Sequence, residues 1–195
     1  MKRKILCLSV LAIMLAILAV GSLAYFTAEG RARNVITTGS VEIKLNEWSD
    51  ENKTKPFENL KGVMPGMTVT KIAEIKNTGK SDAWIRVKIE KTIELKREGT
   101  PETGLVELGL NTTEWTEKDG YYYYNKALKP GETTEPIFTN VTFKATMGNE
   151  YQNATAKVDV YAQAVQTANN PATDDDVTTV KGWPASEPAE TTKGE

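Results

Sequence analysis

Alternation of apolar and polar residues dominates this chain between Ser40 and Gln166. In SVEIKL, Val41, Ile43 and Leu45 alternate with polar neighbours, which is the period-two signature of a strand with one buried face. TVTKIAEIKN reads as a second strand. Its Ile72 falls out of phase with Val69, Ala73 and Ile75, as a bulge or burial of both faces would produce. The clearest strand places Ala83, Ile85, Val87, Ile89, Ile93 and Leu95 on one face, broken only by Lys91. Trp84, Arg86, Lys88, Glu90 and Glu94 share the other face, which is expected to meet solvent. A helix would scatter these residues around its circumference. Tyr121 to Tyr124 has strong β preference. IFTNVTFKA puts Ile137, Val141, Phe143 and Ala145 in phase around Thr139, and AKVDVYAQAVQ does the same with Val158, Val160, Ala162 and Ala164.

The punctuation between these runs has a mechanism. Pro65-Gly66 and Pro130-Gly131 suit type II turns, because proline fixes φ at the first central position and glycine accepts positive φ at the second. Asp119-Gly120 is a hairpin signal between Trp115 and the tyrosine run. Polar loops are expected over 46–61 and 96–104. About seven short strands separated by turns predict an all-β fold, an antiparallel jelly-roll or sandwich-like domain. From Asn169 the composition turns proline-rich and acidic without apolar periodicity, and Trp183 is its only large apolar group. Residues 169–195 are therefore expected to form a disordered acidic C-terminal tail. Its Asp174-Asp175-Asp176 run lacks the ligand spacing of a calcium loop and reads as a solvated charge run.

The first residues read differently. Lys2, Arg3 and Lys4 precede an apolar run from Ile5 to Val20, and Ser22-Leu23-Ala24 offers small residues at a peptidase site. This is the three-part pattern of a secretory signal peptide, with Ser22, Ala24 and Tyr25 at the cleavage point. A retained membrane anchor is the rival, although the apolar run is short for a bilayer. The organisation predicted is a signal peptide over 1–24, an N-terminal segment over 25–39, a β-domain over 40–168 and the tail. The protein would be secreted and would meet the membrane only as a precursor.

Composition then narrows the chemistry. The chain has no His and one Cys, and that Cys7 lies in the apolar run. The mature part can thus have no disulfide, thiol nucleophile, imidazole base or zinc site of the usual Cys/His kind. No GxSxG, HExxH or phosphate loop occurs. Glu42 with Glu47, or Glu90 with Glu94, are the carboxylate pairs to consider for sugar chemistry. No enzyme activity, cofactor or metal is expected. The formal net charge of −2 argues against a nucleic-acid face. Trp115, Tyr121, Tyr122, Tyr123 and Tyr124 form either a sugar-stacking platform or a hairpin that covers the core.

Three stretches together resemble one family. GSLAYFTAEGRARNVITTGSVEIKL is similar to the region read by the SipW-type signal peptidase in exported TasA and camelysin proteins. NLKGVMPGMTVTKIAEIKNTGKSDAWIRVKI resembles that family's Pro-Gly turn, strand and Asn-x-Gly turn, and DGYYYYNKALKPGETTEPIF resembles segments of related exported proteins. The resemblance implies a jelly-roll domain and an extracellular structural role. The protein would be a self-assembling biofilm or surface fibre subunit whose N-terminal segment completes the sheet of the next copy. The residues implicated are Tyr25, Phe26, Val35 and Ile36. The partners implied are further copies of the chain or a related matrix protein, and a signal peptidase during export. The family's reported protease activity does not carry over to a chain without His. The alternative class is a secreted accessory or carbohydrate-binding module.

Overall fold

A computed structural model describes residues 26–29, 32–38, 41–58 and 60–184. Its strands are β1 Phe26–Glu29, β2 Ala32–Thr38, β3 Ile43–Trp48, β4 Leu60–Val63, β5 Thr68–Asn77, β6 Ala83–Glu94, β7 Val106–Leu110, β8 Trp115–Lys118, β9 Tyr121–Tyr124, β10 Phe138–Phe143 and β11 Thr155–Gln166. They form two sheets packed face to face, an all-β sandwich. One has the order β4-β1-β11-β6-β9-β8, with β2 also paired to β11. The other has the order β3-β5-β10-β7. Every pairing is antiparallel except those of β1 and β2 with β11. The signal segment over 1–24, with Ser22 and Ala24, lies outside the described residues, as does Tyr25 on the far side of the expected cleavage point.

The period-two pattern maps onto this sandwich. Ala83, Ile85, Val87 and Ile93 of β6 are buried between the sheets beside Ala156, Val158, Val160, Ala162 and Ala164 of β11. Lys91, which breaks the apolar face, reaches the sheet opposite and donates from Nζ to Val106 O at 2.8 Å. Burial holds its ammonium below the usual lysine range, partly offset by Glu107. The out-of-phase Ile72 marks a bulge together with two-sided burial. β5 spends one more residue than β10 between the pairs Phe138↔Ala73 and Asn140↔Thr70. Lys71, Ile72, Ala73, Glu74 and Ile75 are all buried. A second bulge on β10, opposite β7, turns both Phe138 and Val141 inward and Thr139 out. Ala145, expected in phase, lies beyond the strand and is exposed. The polar loop expected over 46–61 is also revised, since β3 continues to Trp48 and β4 begins at Leu60.

The turns follow their residues. Gly66 has φ +79° and Met67 N donates to Met64 O, and Gly131 has φ +82° with Glu132 N donating to Lys129 O. Asp119 and Gly120 both take positive φ, +53° and +78°, as a type I′ hairpin requires. A Cβ on Gly120 would meet open space, so conformation alone sets the cost of a side chain there. Gly120→Val should cost about 1–2 kcal/mol, the left-handed penalty for a residue with a Cβ. Gly104→Val, also in open space but without positive φ, should leave the thermal melt unchanged.

Part of the C-terminal segment departs from expectation. Residues 170–184 are not a disordered tail: they lie across the outer face of the larger sheet. Val177 and Val180 are buried, and Trp183 meets Tyr123 edge-on with ring centroids 5.8 Å apart. Trp84 Nε1 donates to Asn170 O at 2.8 Å, and Lys118 Nζ donates to Thr178 Oγ1 at 3.1 Å. Asp176 caps a short 3₁₀ turn by accepting from Thr178 N, and the Thr178 hydrogen bonds hold its carboxyl below the usual range. Three apolar side chains at a spacing of three residues anchor this strap, which is too irregular for a strand and too short for a helix. The outer face of β6 and β11 is consequently half covered, and Gln163 and Val165 beneath it are buried. Residues 185–195 lie outside the described residues.

Candidate functional site

Three places carry the chemistry worth weighing: the N-terminal strand pair, the aromatic hairpin and a charged pair between the sheets. The N-terminal segment is itself part of the fold. β1 runs parallel to β11 with Thr27↔Thr155 to Glu29↔Lys157, and β2 resumes with Val160↔Ala32 and Ala162↔Val35 to Val165↔Thr38. Phe26 pairs with Val63 of β4, and Ile36 pairs with Gln163. Val35 is one of two large apolar residues exposed among the described residues, at 38%. This is strand addition at a sheet edge, carried out by the chain on itself.

The aromatic hairpin is mostly committed to packing. Trp115 and Tyr124 are buried with ring centroids 5.0 Å apart, Trp115 Nε1 donates to Glu135 O at 3.1 Å, and Tyr124 OH accepts from Glu135 N. Tyr123 is buried on the opposite face under Trp183. Arg86 sits 4.0 Å from the Tyr121 ring centroid and 4.6 Å from that of Trp183, with its Nε donating to Gln163 Oε1. Cation–π stacking of this kind suits a guanidinium held between rings. The five residues therefore do not form one platform: alternation splits the tyrosines between faces, and the core or the strap covers Trp115, Tyr123 and Tyr124. Of the four tyrosines, Tyr122 lines a hollow of about 240 Å³ between β7 and β8, shared with Leu110, Asn111, Trp115, Thr116 and Ile137. Burial pushes its hydroxyl above the usual tyrosine range, and the Glu117 charge adds to this.

The carboxylate pairs do not assemble. Glu42 is exposed while Glu47 is buried; Glu90 pairs with Lys88 and Glu94 with Lys157. Among the described residues no three His, Cys, Asp or Glu gather as a metal site would need.

Glu47 instead meets Lys71 at 2.8 Å, with the two side chains only 3% and 2% exposed. The pairing Glu47↔Ala73 makes Lys71 its diagonal neighbour on the inner face, which two long side chains can span. Lys71 Nζ also donates to Val158 O at 3.1 Å and lies 4.7 Å from the Phe57 ring centroid. Val158 falls in the gap where β11 has left β1 and not yet met β2, so the ammonium serves a carbonyl at the interruption of the edge strand. Burial lowers the lysine's pKa, and Glu47 first and then Asp159 oppose that shift. The alternation carried a signal for this pair. Glu47 is in phase with Val41, Ile43 and Leu45, and Lys71 with Val69, Ala73 and Ile75.

No family model, no curated protein and no solved structure matches this chain.

Proposed function

We propose that this protein is a secreted structural subunit that self-assembles into extracellular fibres by exchanging its N-terminal strand between copies. The observation that carries the reading is the pairing of β1 and β2 with the edge of β11. The same backbone hydrogen bonds form if the strand of one copy occupies the β11 edge of the next. That contact is head-to-tail and does not close, so it propagates as a fibre. The family resemblance of the N-terminal and Pro-Gly stretches supports the same role, and the signal-peptide pattern supports export. The sugar-platform alternative is weakened by the packing of Trp115, Tyr123 and Tyr124.

Concentrated mature protein viewed by negative-stain electron microscopy should show filaments. Deleting Tyr25 to Asn34 should leave a folded chain that forms none, and a peptide of that sequence should raise the truncated protein's melting temperature. Filaments from the truncated chain would rule out exchange through this segment. A full-length chain that stays monomeric at all concentrations would leave the accessory or binding-module role.

A further inference from the structure

We propose that Lys71 and Glu47 are joined by an intramolecular amide bond, a covalent cross-link between β5 and β3 that the folded chain makes on itself. The geometry has what such a step needs. The amine nitrogen and a carboxylate oxygen stand 2.8 Å apart, and both side chains are almost completely shut off from water. Val158 O anchors Nζ on one side and the Phe57 ring lies on another. Glu47 Oε1, although in contact with Nζ, has no hydrogen bond of good direction.

The chemistry balances within the pair. Burial favours the neutral amine of Lys71, and the proton that the ammonium gives up passes in the reaction to the Glu47 oxygen that will leave. The amine lone pair attacks Glu47 Cδ and the N–C bond forms. One C–O bond breaks, and the oxygen leaves as water with one proton from the acid and one from the nitrogen. No oxidant or further reactant is involved. The remaining amide N–H can keep its hydrogen bond to Val158 O. Burial then protects the bond, because hydrolysis needs the water that the site excludes.

The product would close residues 47–71 into a covalent loop containing β4 and the Pro65-Gly66 turn. Past Cys7 the chain has no cysteine and cannot make a disulfide, and an amide gives the same restraint on the unfolded chain.

Mass spectrometry of the purified, denatured mature protein decides the matter. The expected mass is lower than the sequence mass by one water. Proteolysis should yield a branched peptide joining the segments around Glu47 and Lys71, with no tryptic cleavage after Lys71. Lys71→Arg, which keeps a cation but lacks the primary amine, should restore the full sequence mass. Full sequence mass in the folded wild-type protein would overturn the proposal and leave an ion pair. A water deficit that maps to Asp159, or to a succinimide at Asp119-Gly120, would equally overturn it.

Discussion

Val87→Asp should leave the domain without a cooperative thermal transition, whereas Lys88→Asp, one residue along the same strand, should shift the transition only slightly. Val87 is fully buried in the middle of β6, paired with Ala162 on one side and Tyr122 on the other. A carboxylate there finds no cation and no water, and burying an unpaired charge costs several kcal/mol even after relaxation. That is comparable to the ~5–15 kcal/mol holding a typical domain folded. Lys88 points to the outer face, where it meets Glu90 at 2.8 Å with both side chains partly exposed. An exposed pair of this kind contributes about 0–1 kcal/mol. Circular dichroism melts of the two variants make the comparison. Equal damage from both would mean that the outer face near Lys88 is as dry as the inner one.

Truncation after Asn170 should also be costly, although the described part of the segment removed contains no regular strand or α-helix. It takes away Val177, Val180 and Trp183 and uncovers Tyr123, Gln163 and Val165. Arg86 loses one of the two rings closest to it. At about 1.5–3 kcal/mol for each large apolar side chain fully buried, and less for those only partly covered, the loss should reach about 3–5 kcal/mol. For a domain of this size each kcal/mol moves the melting temperature by about 2–4 °C, so a fall on the order of 10 °C is expected. Truncation after Pro184, which keeps every one of these contacts, is the matched control. A melt unchanged by the longer truncation would show that the strap contributes nothing to stability.

How much of this was legible follows from what each residue had to reveal. The alternation in β6 and β11 exposed the sandwich because these strands bury one face between the sheets, and burial on one face writes a period of two. The three Gly-containing turns were legible because positive φ restricts residue choice. The strap was missed because its anchors, Val177, Val180 and Trp183, are separated by Thr, Lys and Gly and flanked by acidic and proline residues whose composition resembles a disordered tail. Docking there depends on a surface formed by distant strands, which no local window contains. β4 was hidden for a related reason, since a four-residue edge strand carries too few residues for a pattern. The aromatic run was half legible: alternation split the tyrosines correctly between faces, but nothing local said that the core would take Trp115 and Tyr124 while the strap covered Tyr123. Lys71 and Glu47 show the reverse case. Their phase placed them on the apolar faces, yet residue type alone argues for solvent, and only the pairing of β3 with β5 explains how both can be buried.

β1 and β2 lie beside β11 within one chain, and only residues 39–42 separate β2 from β3 in sequence. A segment tethered this closely meets its own edge at an effective concentration in the millimolar range. A neighbouring copy in dilute solution competes at micromolar levels for the same hydrogen bonds. Because the two arrangements form nearly the same contacts, the choice between them turns on chain entropy and crowding. A freshly folded molecule therefore caps itself first, and under the proposed exchange the opening of that cap is the slow event. Any assembly should then begin after a lag governed by the rate of strand release. If the proposed exchange operates, molecules travel as closed units and polymerise only where they accumulate.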